Sequence, residues 1–86
     1  MIKVIRFTAF WCQPCKMLAP IFGEVQNEVS GVSFETIDVD TNKDITSKYS
    51  VSSVPTVIIE KNGELVNRFS GVKSKLEIIN LINQYK

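Results

Sequence analysis

The chain has 86 residues, 44% of them hydrophobic and 22% charged, and ten Lys and Arg against nine Asp and Glu leave a formal charge of +1. This composition is typical of a soluble globular protein, and the balanced charge gives no indication of nucleic acid, a membrane surface or a strongly acidic partner. The length predicts one domain over residues 1–86. Because Lys3 and Arg6 interrupt the first apolar stretch, we expect no signal peptide and no transmembrane segment, and therefore a reducing compartment.

Hydrophobic periodicity predicts four strands and three helices. Residues rich in β-branched and aromatic side chains favour the strands, and Asn62-Gly63 between the last two is a strong hairpin signal. Apolar residues at helical spacing favour the helices, and Pro20 is expected to kink the first of them. The strands are predicted at residues 2–10, 32–40, 55–61 and 64–70, and the helices at residues 12–29, at 41–50 and from Ser74 onwards.

Polar residues mark two of the predicted helix starts. Asp40 or Thr41 is expected to cap the short second helix, and Ser74 with Glu77 fits the S-x-x-E capping box of the third. Apolar residues of the third helix are expected to face the core, namely Leu76, Ile78, Ile79, Ile82 and Tyr85.

The predicted order is β-α-β-α-β-β-α, which belongs to the α/β class. A helix joins the first two strands, so they are expected to be parallel with a right-handed crossover. The last two strands form an antiparallel hairpin. We therefore expect a four-stranded mixed sheet with helices on both faces.

The chain's only two cysteines, Cys12 and Cys15, lie in the segment FTAFWCQPCKMLAP, where the first predicted strand gives way to the first helix. A helix N-terminus offers unpaired N–H groups and the positive end of the helix dipole, and both stabilise a thiolate, the reactive form of cysteine. Pro14 fits the first turn, where its missing N–H is not needed. The spacing suits thiol–disulfide exchange, in which Cys12 attacks a substrate disulfide and Cys15 resolves the mixed disulfide.

Two other interpretations of the cysteine pair are weaker. A bond between cysteines three positions apart closes a very small loop and restricts the unfolded chain little, so a structural disulfide is not favoured. Zinc prefers four ligands, and this chain has no further cysteine and no histidine, so a metal site would require carboxylates or a second subunit. We expect no metal.

The segment WCQPCK resembles the W-C-x-P-C-K active site of the thioredoxin family. Pro20, VPT at residues 54–56 and KNGELVNRFSG at residues 61–71 agree with the family at similar distances, so the resemblance covers nearly the whole chain. It implies that Cys12 is the nucleophile and Cys15 the resolving thiol. It also implies no cofactor other than the redox-active disulfide between these two residues.

The resemblance further implies a substrate-binding surface around the cysteines. In the family, this surface is shallow and apolar, and a cis-proline, which Pro55 resembles, faces the disulfide. The backbone beside that proline pairs with the substrate chain as an added strand. The substrate-binding residues implied in this way are Trp11, Gln13, Pro14, Val54, Pro55 and Gly71.

The implied fold is a minimal thioredoxin fold. Thioredoxins usually begin with an extra strand and helix, whereas the first strand here is predicted to begin at residue 2. We therefore expect the chain to lack that N-terminal pair and to resemble the shorter glutaredoxins in extent. Residues 33–39 would then form a sheet edge, where Glu35 and Asp38 discourage pairing with another chain.

A second departure from the family is chemical. The family has a buried aspartate six residues before the nucleophile and a lysine partner on the next strand, and Arg6 and Thr36 match those positions here. Arginine cannot accept a proton at ordinary pH. One hypothesis is that Arg6 lowers the thiol pKa values, and the other is that it extends to solvent and pairs with Glu35 or Asp38. Lys16 is a second candidate for tuning the thiols, or else a solvated lysine.

The predicted function is that of a cytoplasmic, monomeric protein disulfide oxidoreductase. By resemblance, the electron donor is a thioredoxin-reductase-type flavoenzyme or glutathione, and the substrates are protein disulfides, with ribonucleotide reductase as a family-based example. We expect no nucleic-acid or membrane partner. A glutaredoxin-like, glutathione-coupled enzyme is an alternative, and a redox-inactive binding module is another, although the presence of Cys12, Cys15 and Pro55 argues against the latter.

Overall fold

Residues 1–86 are described by a computed structural model. The order of elements is the one predicted from the sequence. Most predicted boundaries lie within two residues of the observed ones. The elements are β1 (Ile2–Thr8), α1 (Gln13–Glu28), β2 (Val32–Asp38), α2 (Lys43–Lys48), β3 (Thr56–Lys61), β4 (Glu64–Ser70) and α3 (Lys75–Asn83).

The four strands form one mixed sheet in the order β2-β1-β3-β4. β1 and β2 are parallel, with Ile2 opposite Val32 and Thr8 opposite Asp38, and both other pairs of neighbours are antiparallel. The predicted parallel crossover and terminal hairpin are therefore confirmed. Because β1 and β2 run in the same direction, the segment after β1, which holds the cysteines, emerges beside the segment after β2.

The larger hydrophobic core lies between one face of the sheet and the helices α1 and α3. Successive residues of a strand point to opposite faces, so the even-numbered residues of β1 lie on this side. Phe22 of α1 is 1% exposed and meets Phe34 of β2 edge to face, with ring centroids 5.6 Å apart. The buried members of this core are Ile2, Val4, Leu18, Phe22, Val25, Val29, Val57, Ile59, Ile78 and Ile82.

The opposite face of the sheet holds a smaller core, consisting of Ile5, Phe7, Ile37 and Ile58. Tyr49, at the end of α2, covers this core and contacts the Phe7 ring at a centroid distance of 5.7 Å. Polar contacts surround the apolar centre, because Tyr49 donates a 2.7 Å hydrogen bond to Glu60 and Lys3 forms a 3.0 Å ion pair with Glu35. Tyr49 and the loop residues Val39, Val51 and Val54 therefore cover this face, with a polar rim around them.

The Tyr49–Glu60 hydrogen bond predicts a change of stability with pH. The Glu60 carboxylate, which accepts this hydrogen bond, raises the pKa of Tyr49 to about 12, and burial contributes to the increase. The folded state thus holds this proton more tightly than the unfolded chain, in which tyrosine has a pKa near 10. The resulting stabilisation is complete below about pH 10 and is lost as the pH rises towards the folded-state pKa.

We therefore expect Tyr49→Phe to lower the free energy of unfolding at pH 9 and to lower it much less at pH 12. Urea titrations of both proteins at several alkaline pH values measure the difference. Glu60→Gln is the matched control, since it keeps the tyrosine but removes the carboxylate, and it should flatten the pH dependence in the same way. A difference between the wild type and Tyr49→Phe that stays constant over this range would contradict the assignment.

Two details of the sequence prediction need correction. Asn42, not Asp40 or Thr41, occupies the N-cap of α2, and its side chain makes no capping hydrogen bond. Leu76 is 67% exposed, so it does not belong to the core face of α3, whereas Ile78 is fully buried. Pro20 does not end α1, which continues to Glu28 as predicted.

Other local predictions are confirmed. Ser74 and Glu77 form the reciprocal capping box at the start of α3. Asn62 and Gly63 have φ values of 54° and 85°, the left-handed conformations that a tight two-residue hairpin turn requires. None of the three helices has the length and apolar character needed to cross a membrane.

Candidate active site

Cys12 occupies the N-cap of α1, between the end of β1 and the first helical turn. Its backbone is extended (φ −93°, ψ 111°), and its sulfur accepts a 3.2 Å hydrogen bond from the backbone N–H of Cys15. Pro14 lies in the first turn, as predicted, and no acidic residue is present there. The unpaired N–H groups of this turn therefore face Cys12 Sγ with no nearby carboxylate on the helix to oppose a thiolate.

Cys15 lies one turn further into α1, and the two cysteines form a disulfide. Cys12 is 5% exposed and Cys15 2% exposed, and both pack with Ala9 in a small apolar cluster that Val39 and Val54 border. The start of α1 fixes the positions of the two sulfurs. The apolar cluster keeps water away from them, so water does not compete for contact with the sulfurs during exchange.

Trp11 lies directly before the disulfide and is 60% exposed. Its indole Nε1 donates a 2.8 Å hydrogen bond to the carboxylate of Asp40, which follows β2. The parallel pairing of β1 and β2 makes this contact possible, because it brings the segments after the two strands together. The hydrogen bond fixes the orientation of a large apolar surface beside Cys12.

An apolar groove of about 240 Å³ extends from Trp11 towards the loop before β3. Val54 lies both in this groove and at the disulfide, where its carbonyl oxygen is 3.5 Å from Cys12 Sγ. The residues lining the groove are Trp11, Val39, Thr46, Val51, Ser52, Ser53 and Val54. The groove therefore reaches the disulfide through Trp11, the neighbour of Cys12 in sequence, and through Val54.

Pro55 follows Val54 through a cis peptide bond, as the resemblance implied. Its side chain is buried, and its carbonyl oxygen accepts a 3.0 Å hydrogen bond from the backbone N–H of Gly71. Gly71 has a φ of +87°, a conformation that few other residues adopt, so it ends β4 in a turn towards the site. The structure thus brings Val54, Pro55 and Gly71 to the same side of the disulfide, while Gln13 and Pro14 are exposed on the first turn of α1.

A second cavity, of about 290 Å³, lies on the other side of the disulfide, and Cys15 forms part of its wall. Two cationic residues, Arg6 and Lys16, line the same cavity, together with Asp38 at the end of β2. The remaining lining residues are Thr8, Ala9, Phe10 and Ala19. The resolving cysteine therefore borders a cavity that carries two positive charges and one negative charge.

Arg6 does not form the ion pair with Glu35 or Asp38 that was one of the two predictions for it. Glu35 pairs with Lys3 instead, and Arg6 donates only a 3.4 Å hydrogen bond to the hydroxyl of Thr36. The guanidinium lies 5.3 Å from the centroid of the Phe22 ring, on the α1 side of the sheet. Strand alternation explains the absence of the Glu35 pair, because Lys3 and Glu35 face the opposite side of the sheet from Arg6. Asp38 lies on the same face as Arg6, opposite Thr8 in the register, but forms no ion pair with it.

Asp40 and Asp38 belong to the site although neither was predicted there. The sequence predicted Asp40 as a possible helix cap and Asp38 as a sheet-edge residue. The available signal was their position after a strand expected to be parallel to β1, since the carboxyl ends of parallel strands share one edge of a sheet.

The chain matches the Thioredoxin family over residues 1–84. It is 43% identical over 84 residues to a thioredoxin of Chlamydia caviae and 40% identical over 85 residues to one of Bacillus subtilis, and each match covers 98% of this chain and 82% of the relative. A solved thioredoxin from Fasciola hepatica superposes with a TM-score of 0.92 at 36% identity, covering 99% of this chain and 81% of that one. A mutant thioredoxin from Halobacterium salinarum gives 0.92 at 32% identity, covering 98% and 74%.

These matches extend over nearly the whole chain, and the four-stranded fold is shared with the solved structures. The Cys12–Cys15 disulfide lies at a helix N-terminus beside an apolar groove, as exchange chemistry requires. The protein therefore belongs to the thioredoxin family and is a thiol–disulfide oxidoreductase.

Proposed function

We propose that the protein reduces disulfides of other proteins, with Cys12 as the nucleophile and Cys15 as the resolving thiol. The observation that carries this assignment is the position of Cys12 Sγ, which accepts the Cys15 N–H at the helix N-cap and lies 3.5 Å from the Val54 carbonyl oxygen in the wall of the groove. A thiolate at Cys12 is stabilised by that N–H and by the helix dipole. Cys15 lies one turn further into α1 and lines the second cavity, to which Val54 does not contribute.

The reaction proceeds in two exchanges that conserve electrons. The Cys12 thiolate attacks one sulfur of the substrate disulfide, so a Cys12–substrate bond forms and the other substrate sulfur leaves as a thiolate. Cys15 then loses its proton and attacks Cys12 Sγ, forming the Cys12–Cys15 disulfide and releasing the second substrate thiolate. Solvent protonates both leaving thiolates, and the protein has given up two electrons.

The substrate-binding surface in this proposal consists of the residues around Cys12. Trp11 and Val54 line the groove, and the exposed Gln13 and Pro14 border the first turn of α1. In this proposal the backbone at Val54, beside the cis-proline, pairs with the substrate chain as an added strand. The Pro55 carbonyl is not available for this pairing because it accepts the Gly71 N–H.

Family membership implies a thioredoxin reductase as electron donor and disulfide-containing proteins as substrates in general. Within the proposal, a thioredoxin-reductase-type flavoenzyme reduces the Cys12–Cys15 disulfide back to the dithiol, and ribonucleotide reductase is one of the substrates. The chain acts in the cytoplasm as a monomer, with a single domain over residues 1–86. Glutathione as the donor is the competing arrangement. The cation Lys16 near the disulfide favours it to some extent, since glutathione is anionic.

The experiment is a turnover assay with a protein disulfide substrate and two alternative donor systems, thioredoxin reductase with NADPH and glutathione with glutathione reductase. We expect turnover with the first system and only background with the second. The double variant Cys12→Ser, Cys15→Ser is the matched control and should be inactive with both. Turnover with glutathione alone would replace the proposal by a glutaredoxin-like function, and the absence of any turnover would favour a binding module.

A further inference from the structure

Arg6 is a charged residue that the two exchange steps above do not use. It is partly buried, its Nε–H has no hydrogen-bond partner, and no carboxylate lies within ion-pair distance of its guanidinium. A buried polar group without a partner destabilises the folded state, and a charged one does so more strongly. The oxidised structure therefore contains a partly buried cation that has no ion-pair partner.

The Arg6 cation and Cys15 belong to the same cavity wall. Arg6 lies on β1 and Cys15 on α1, and both line the 290 Å³ cavity behind the disulfide. Burial lowers the pKa of Arg6, which is the sign of a desolvated cation without a compensating anion. Arginine nevertheless keeps its proton at ordinary pH and acts as a fixed positive charge.

We propose that Arg6 is a positioning residue for the resolving step and stabilises the Cys15 thiolate that attacks the mixed disulfide. The inference rests on the proposed role of Cys15 as resolving thiol. In the oxidised protein Cys15 has no charge, and Arg6 is left unpaired. When the disulfide opens, a negative charge forms at Cys15 on loss of its proton, and this anion then lies in the wall of the cavity that Arg6 also lines.

The other charged groups around Cys15 do not reverse this effect. Lys16 adds a second positive charge to the cavity wall, but it is exposed, so solvent screens it more strongly. Asp38 is the one carboxylate in the cavity and opposes a Cys15 thiolate, but two cations line the same wall, and the backbone N–H of Asp40 donates a 2.8 Å hydrogen bond to Asp38 Oδ1. During the resolving step Cys12 is bonded to the substrate in the mixed disulfide, so its sulfur carries no charge.

The test follows both exchanges with an aromatic disulfide whose released thiolate is coloured. The reduced protein releases this thiolate once when Cys12 attacks and a second time when Cys15 resolves. Stopped-flow records of both phases between about pH 5 and pH 9 therefore give a pH profile for each cysteine separately.

For Arg6→Gln, we expect the second phase to slow roughly tenfold at acidic and neutral pH and to recover at alkaline pH, with the first phase within about twofold of the wild type. Arg6→Lys should restore most of the second-phase rate, because it restores the positive charge. If Arg6→Gln does not fold, the second-phase pH profile of Arg6→Lys is compared with the wild type instead. Lys3→Gln removes a positive charge from the same strand on the opposite face, and it should change neither phase.

A second-phase pH profile of Arg6→Gln that superposes on the wild type would overturn the proposal. So would a slow second phase in Asp38→Asn, because that result would make Asp38 the proton acceptor of Cys15 instead. A wild-type protein that releases only one coloured thiolate would contradict the role of Cys15 itself, and this failure of the proposed function is distinguishable from a failure of the Arg6 inference.

Discussion

Cys12→Ser is expected to lower the rate of protein disulfide reduction to the rate of the donor system alone, whereas Cys15→Ser is expected to leave one attack but no catalytic cycle. A serine hydroxyl at position 12 stays protonated at neutral pH and cannot replace a thiolate as the attacking group. In Cys15→Ser, Cys12 still reacts, but no internal thiol then displaces the substrate. Both variants lose turnover for different reasons.

The measurement is steady-state turnover with NADPH and thioredoxin reductase, combined with a count of substrate thiols released in a single mixing experiment. Cys12→Ser should release none, and Cys15→Ser should release one per protein molecule. Circular dichroism melts control for loss of fold, which is not expected because both cysteines are replaced by a residue of similar size. Substantial turnover by Cys12→Ser would contradict the assignment of the nucleophile.

Phe22→Ala is the substitution expected to cost the most stability. Phe22 is 1% exposed in the larger core, contacts the Phe34 ring and lies under the Arg6 guanidinium. Replacement of a buried phenylalanine by alanine costs about 3–5 kcal/mol, because transfer energy is lost and a cavity remains. For a domain whose total stability is about 5–15 kcal/mol, this is a large fraction.

Urea unfolding measures the effect, with the midpoint expected to fall and the slope with denaturant to stay unchanged. Met17→Ala is the matched control, since Met17 lies on the same helix but is 58% exposed, and its replacement should change the free energy of unfolding by no more than about 0.5 kcal/mol. A cost below about 1 kcal/mol for Phe22→Ala would show that the helix α1 is not held to the sheet as described.

Much of the fold was predictable because local signals agree with the tertiary structure. Alternation, helical spacing and the Asn62-Gly63 turn each depend on a few neighbouring residues, and the crossover rule converts their order into a sheet. The prediction for Leu76 was wrong because helical spacing identifies an apolar face but not its limits. Leu76 lies two positions before the buried Ile78, which is about 200° round the helix, so it points away from the larger core.

The candidate site was predictable only in part, for a related reason. Cys12, Cys15 and Trp11 are adjacent in sequence, and their chemistry follows from the residue types and the helix start. Asp40 contacts Trp11 across 29 positions of sequence, and that contact depends on the parallel register of β1 and β2. The charge environment of Arg6 likewise depends on which face of β1 it occupies and on the pairing of Glu35 with another residue, which local patterns do not specify.

The most direct test of the central claim, exchange through Cys12 followed by resolution through Cys15, is to identify the cysteine that holds a trapped substrate. Reduced Cys15→Ser and Cys12→Ser are each mixed with a disulfide-containing protein, quenched by thiol alkylation, and the cross-linked peptides are identified by mass spectrometry. We predict a stable mixed disulfide at Cys12 in the Cys15→Ser protein and little or none at Cys15 in the Cys12→Ser protein. Equal trapping in both variants, or trapping mainly at Cys15, would contradict the assignment of the nucleophile.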